Sequence, residues 1–326
     1  MICFSFYVFI ENLFFHDMMM YWREGGHIVK LNKGVIYILL GASFFGFTPI
    51  FAKLGFSFGY SLGQINIVQM VVSFFLLWSL TLIKRASFKG LNKKNIVQIM
   101  ITGCLIGLTS IFYYGSMEYL PASLAIILMF QFVWIGIILE WIFSKIKPAP
   151  LTILSILLIL IGVFFASNFV NGDISGLPYK GLIFGILSAF TYAGFIFCSG
   201  KVAVNVDPWT RSSLMVTGST ILVFIVFMRD IPTVLPLESD LLTIAVGVSL
   251  FGAVLPPLFF AAGAPLVSGG VANILTSIEL PIAILSASLI LSEVVTPLQW
   301  VGIAIILVAI TFNELGNNFF RVRKHH

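Results

Sequence analysis

Ten separate apolar stretches of this chain are candidates to cross a lipid bilayer. A spanning helix needs about 20 mainly apolar residues. The candidates are 34–52, 64–83, 95–115, 121–142, 151–168, 181–200, 209–228, 241–261, 268–291 and 297–312. Helix-stopping residues fill the gaps, among them Gly90, Pro121, Pro148, Pro178, Pro208 and Pro297. Composition removes the soluble alternative. Hydrophobic residues make up 59% and charged residues 10%, against about 25% charge in an average soluble domain. The expected fold is an all-α membrane protein of ten transmembrane helices.

Orientation follows from the basic residues, because cytoplasmic loops carry an excess of Lys and Arg. With the amino terminus inside, the inner segments hold fifteen of the eighteen: Arg23, Lys30, Lys33, Lys84, Arg85, Lys89, Lys93, Lys94, Lys145, Lys147, Lys201, Arg211, Arg321, Arg323 and Lys324. The outer segments hold Lys53, Lys180 and Arg229. Both termini are therefore expected on the cytoplasmic side of a cell membrane. The net charge of +5 reads as a topology signal. With no base-reading motif in the chain, nucleic acid is not an expected partner.

The chain also repeats itself. Lys33-Gly34-Val35-Ile36 matches Lys180-Gly181-Leu182-Ile183, and Leu40-x-Ala42 matches Leu187-x-Ala189, both at a shift of 147. The fourth and ninth stretches align at 148, setting Gln131 on Glu279, and the fifth and tenth near 147, setting Gly162 on Ala309. Each half holds five spans. An odd number makes the second half enter from the opposite side, giving two inverted five-helix repeats. Secondary transporters are often built this way, with the site near the midplane between repeats. The expected organisation is an amino-terminal cytoplasmic or interfacial segment (1–32), one repeat over 33–168, a second over 178–314, and a basic cytoplasmic tail (315–326). Within the first segment, 2–10 is apolar but too short to span. It reads either as an interfacial helix or as an upstream extension, since Met18, Met19 and Met20 offer later starts.

The residues at the repeat ends resemble a known family. The first span carries Ala42-Ser-Phe-Phe-Gly46-Phe-Thr-Pro49 and ends at Lys53; the sixth carries Ala189-Phe-Thr-Tyr-Ala193 and ends at Lys201. The ninth has Glu279-Leu-Pro281, then Ser292-Glu293 and Pro297-x-Gln299-Trp300-x-Gly302. From Lys33 to Glu314 the chain resembles the drug/metabolite transporter superfamily, specifically its EamA type. The first repeat departs from the pattern, with Val133 in place of a proline and Lys145 in place of a loop glutamate. The resemblance implies the ten-helix fold and transport, with export the favoured direction. It does not imply a substrate.

Charge placement gives the sharpest site candidate. Of thirteen acidic residues, Glu279 stands near the middle of a span. A charge at that depth costs at least a few kcal/mol and usually faces a cavity or a partner. Glu279 is therefore expected to line a translocation cavity, binding a proton or a substrate amine; the structural alternative is a protonated glutamate bonded to a neighbouring helix. Gln131 is its expected counterpart, with Trp134 one turn on as a cavity wall or a lipid-facing aromatic. Thr276 shares the Glu279 face of the ninth helix, and Asn273 is turned away by a third to half a turn. Pro281 removes a helix hydrogen bond near Ser277, and Thr48 with Pro49 could do similar work in the first span. Tyr113 and Tyr114 read as cavity residues or as members of an interfacial belt. The expected binding set is Glu279, Gln131, Trp134, Asn273, Thr276, Thr48 and Tyr113, with Glu279 also the proton-coupling residue.

Other classes fit less well. The histidines (His16, His27, His325, His326) all lie in the tails, and no aspartate sits mid-span, which disfavours membrane-embedded proteases and lipid transferases. Cys3, Cys104 and Cys198 fit no disulfide framework or metal spacing. Gly194 to Lys201 has the wrong length for a phosphate loop, and Val202 replaces its Ser or Thr. A single midplane carboxylate is not a selectivity ring. No cofactor, metal or catalytic residue is expected. The expected partners are a small-molecule substrate, the lipid bilayer and protons; the sequence leaves the oligomeric state open and is compatible with a monomer. Amino acids or related metabolites are the favoured cargo; a lipid-linked sugar flippase or a drug exporter of the same fold is the alternative.

Overall fold

The structure is a computed structural model that describes residues 21–24, 27–30, 32–120, 122–167, 178–235, 238–291 and 294–322. The apolar stretch 2–10 and the pair Ser292-Glu293 lie outside them. Two four-residue strands, Tyr21–Glu24 and His27–Lys30, pair antiparallel with Tyr21 opposite Lys30.

Apart from the connecting turns, the other described residues are helical. Among the described residues, nine helices are long and apolar enough to cross a membrane: Lys33–Ser57, Leu62–Ile83, Lys93–Tyr119, Leu124–Ser144, Tyr179–Ser199, Pro208–Val226, Ser239–Leu266, Gly269–Ile290 and Pro297–Glu314. A tenth, Pro150–Ala166, is apolar but only 17 residues long. Helices suit this solvent because they satisfy their own backbone polar groups. Their starts follow local chemistry. Asn32, Asn92 and Ser268 accept from amides of the first turn, Ser61 and Gln64 form a reciprocal capping box, and Asp207 caps the helix opened by Pro208.

The ends sort into two groups. At one end, Asn32 Nδ2 donates to Leu266 O (3.2 Å), Thr210 Oγ1 to Ser87 O (3.1 Å), and Gly269 N to Glu140 Oε1 (2.8 Å). Lys33, Lys84, Lys145 and Lys201 flank these helix ends, so this is the basic end. At the other, Tyr60 donates to Glu238 (2.7 Å), Gln64 to Thr233 O (2.9 Å) and Ser116 to Gly181 O (3.1 Å). The first span starts at the basic end and the sixth at the opposite one. The two halves are thus inverted.

Three spans are broken in the middle. The first is interrupted at Gly46-Phe47, the fourth at Phe130-Gln131 and the ninth at Ser277-Ile278. Pro281 explains the last, since it cannot donate to the Ser277 carbonyl. The fourth breaks without a proline, in a tightened turn: Gln131 N bonds Leu128 O, three residues back. That frees the Ile127 carbonyl, and the Gln131 side chain donates to it (3.0 Å). Ser277 behaves alike: its amide reaches Ile274 O and its hydroxyl takes Asn273 O. These breaks stand 147 residues apart, not the 148 of the sequence match. Phe132, rather than Gln131, is the counterpart of Glu279.

Close backbone approach locks the third span to the seventh. A Cβ on Gly103 would lie 1.8 Å from Met215 O, and one on Gly218 2.1 Å from Met100 O. The spacing Gly103-x-x-x-Gly107 is such a packing pattern. Arg211 corrects the sequence reading, which counted it with the loop charges. It is 1% exposed, and its guanidinium donates to Ala261 O (2.9 Å) and Ser199 O (2.6 Å). It ties the carbonyl ends of the sixth and eighth helices together at the basic end.

Candidate functional site

Glu279 opens the second half of the ninth span, directly after its break, and is 2% exposed. Its Oε2 accepts from the Tyr192 hydroxyl at 3.0 Å. Tyr192 belongs to the sixth span, and the other two breaks close on the same ring. Phe45, the last residue before the first break, stacks on it at 5.2 Å and 18°. Phe132, the first residue after the fourth-span break, meets it edge-on at 4.8 Å. Gly46 completes the junction: a Cβ there would come within 2.6 Å of Glu279 O, so glycine lets the broken first span rest on the broken ninth.

A polar wall stands beside this junction. Tyr113 and Tyr114 are 2% and 1% exposed, pack at 6.1 Å, and lie within electrostatic range of Glu279. They belong to the interior, not to an interfacial belt. Gln69 Nε2 donates to Val248 O (3.0 Å) and contacts the Tyr114 hydroxyl (3.5 Å). Val248 immediately precedes a π-helical turn, Ser249–Val254, a distortion that is frequent at functional sites. Thr48 packs here too, its Oγ1 buried without a hydrogen-bond partner and 3.4 Å from where a Gly252 Cβ would sit.

A vestibule of about 820 Å³ opens at the end opposite the basic one. Its volume lies within the range of about 300–1,000 Å³ typical of small-molecule sites. Lys53, Glu118, Ser167 and Gln299 give it polar groups, while Ile126, Ala283 and Ala287 are among its apolar walls. Pro49 and Leu280 line it as well. They are the sequence neighbours of Thr48 and Glu279, which are buried and are not part of the lining.

The expected site set is split by the structure. Glu279, Tyr113 and Thr48 gather around the junction. Gln131 and Trp134 pair with each other instead, Trp134 Nε1 donating to Gln131 Oε1 at 2.8 Å, with Trp134 36% exposed. Asn273 is fully buried between the fourth and ninth helices, its amide 2.3 Å from where a Gly136 Cβ would stand. Thr276 returns its hydroxyl to Ala272 O (2.7 Å). Tyr192 is the residue that sequence reading missed. The signal was present: it follows Phe45 by the repeat shift of 147 and lies inside the Ala189–Ala193 motif.

The profile of the EamA-like transporter family matches residues 32–168 and again residues 179–314. The chain belongs to the EamA-like transporter family. That family is part of the drug/metabolite transporter superfamily. The EamA assignment makes this chain a multi-pass membrane transporter of small molecules. An uncharacterized transporter of Synechocystis sp., sll1319, is 25% identical over 228 residues, covering 67% of each chain. A crystal structure at 10% identity superposes on the EamA fold with a TM-score of 0.72, covering 87% of this chain and 98% of the other. That likeness concerns the fold.

Proposed function

We propose that the protein is a secondary transporter that exports small polar metabolites, amino acids or related compounds, by alternating access, with Glu279 as the proton-coupling group. One observation carries this reading: a buried mid-span carboxyl, hydrogen-bonded to Tyr192, lies where three broken helices meet. Broken helices near the midplane are a recurring way to build a transporter site. A carboxyl in that position exchanges a proton when the vestibule wets it and exchanges it again when the other face opens. Tyr192 bonds to it, and Tyr113 and Tyr114 add further hydroxyl-bearing side chains to the neighbouring interior, which suits a polar cargo. Lys53 and Glu118 at the vestibule supply one charge of each sign, which fits a solute carrying both. The excess of basic residues at one end supports cytoplasmic termini and a vestibule that faces outward.

The test is efflux from proteoliposomes loaded with amino acids, nucleosides or amines, comparing wild type with Glu279→Gln with and without a pH gradient. The expected result is at least one cargo whose wild-type efflux responds to the gradient, with a slow and unresponsive variant. Equal rates and equal pH dependence in both proteins would remove Glu279 from the mechanism.

A further inference from the structure

Glu140 is a buried carboxylate that the proposed site does not use. It lies near the end of the fourth span, 5% exposed, and its partners belong to the other repeat. Oε1 accepts from Gly269 N at 2.8 Å and Oε2 from Gly270 N. These are the first two amides of the ninth span, and Ser268 Oγ takes the third, Val271 N, at 3.3 Å. The orphan donors of this helix start are thus satisfied largely from across the seam between repeats. The glycines make the approach possible, since a Cβ on Gly270 would sit 3.0 Å from Oε2. A carboxylate at a helix amino terminus also meets the positive end of the helix dipole.

The repeat makes the contact informative. At the shift of 147 set by the helix breaks, Gly269 corresponds to Ala122, at the start of the fourth span. Glu140 corresponds to Ala287, which lines the vestibule. One end of the fourth–ninth seam is therefore fastened by a carboxylate; the other carries a methyl group at the matching place and lies open. Alternating access between inverted repeats exchanges the two ends. Fastening one end alone makes the two states unequal.

We propose that Glu140 is the latch of the basic-end gate: it holds the fourth span to the ninth there and sets the resting population of the vestibule-open state. The proposal rests on alternating access but not on Glu279, on protons or on the identity of the cargo. Opening the gate replaces two charge-assisted hydrogen bonds with bonds to water. Such bonds are worth enough to shift a two-state ratio by about tenfold or more.

The test reads accessibility in the full chain reconstituted in nanodiscs, with Cys3, Cys104 and Cys198 replaced. Two single-cysteine reporters are labelled with a membrane-impermeant maleimide: Ile284→Cys in the vestibule, and Ile137→Cys, buried beside Gly270 at the closed end. Introducing Glu140→Gln is expected to speed labelling at position 137 and slow it at 284, moving the ratio of rates about tenfold. Unchanged rates overturn the latch, and so do rates that rise together, as in a loosened fold. A second variant settles the matter if Glu140→Gln folds poorly. Ala287→Glu, with Glu140 intact, carries the carboxylate to the matching position and must slow labelling at 284; an unchanged or faster rate overturns the proposal. Labelling needs no cargo, so a failed transport assay leaves this test standing.

Discussion

Phe45 and Tyr192, separated by the repeat shift of 147 residues, stack on each other at 5.2 Å. A residue that touches its own counterpart lies on the axis relating the two halves. The carboxyl of Glu279 hangs from that axis through the Tyr192 hydroxyl. The centre of the molecule is therefore symmetric in its aromatic rings and asymmetric in its charge, since the counterpart of Glu279 is Phe132.

Removing one oxygen tests this centre. Tyr192→Phe keeps the ring contacts with Phe45, Phe132 and Phe195 and deletes the donor to Glu279. Loss of a hydrogen bond to a buried carboxyl costs about 1–3 kcal/mol, so the apparent melting temperature in detergent should fall and efflux should slow. Wild-type values for both would mean that the bond does not matter.

Gly103 and Gly218 allow the third and seventh spans to touch through their backbones. Gly103→Val drives a side chain into Met215 O, which cannot rotate away as a side-chain end could. Overpacking of this kind costs about 1–3 kcal/mol. The expected outcome is a smaller yield of monodisperse protein on size exclusion, and a wild-type yield would contradict the close approach.

The pair Gln131 and Trp134 should matter less to transport than its sequence position suggests. Trp134→Phe loses a hydrogen bond at an exposed position and should leave efflux and its pH dependence unchanged. Gln131→Leu uncovers the Ile127 carbonyl at the helix break, costing about 1 kcal/mol of stability without changing which cargo moves. A changed cargo preference in either variant would place the pair in the pathway.

Much of this was legible in the residues themselves. Apolar length located the spans, glycines and prolines marked the gaps between them, and Pro281 announced the break in the ninth. The break in the fourth was hidden because no proline marks it. Gln131 therefore read as a cavity residue, although its amide serves a carbonyl that only the tightened turn exposes. Arg211 read as a loop charge because its neighbours Asp207 and Pro208 are loop-like; its partners, Ser199 O and Ala261 O, are supplied by other helices. Tyr192 was missed for the same reason. Its link to Glu279 spans 87 residues and depends on how two inverted halves meet.

The inside placement of the basic end is checked by Ser87→Cys in a cysteine-free background. Ser87 is exposed between the second and third spans, so an impermeant maleimide should label it from the cytoplasmic side of membrane vesicles. Labelling from the outside would invert the orientation and turn the vestibule inward.

The central claim is that Glu279 carries a proton during transport. It is tested most directly by a pH-sensitive dye trapped in proteoliposomes, read while a cargo identified by efflux crosses the membrane. Wild type is predicted to move protons only when cargo moves, and Glu279→Gln to move none. Cargo-dependent proton flux of the same size in Glu279→Gln, or cargo movement by wild type with no proton flux, would contradict it.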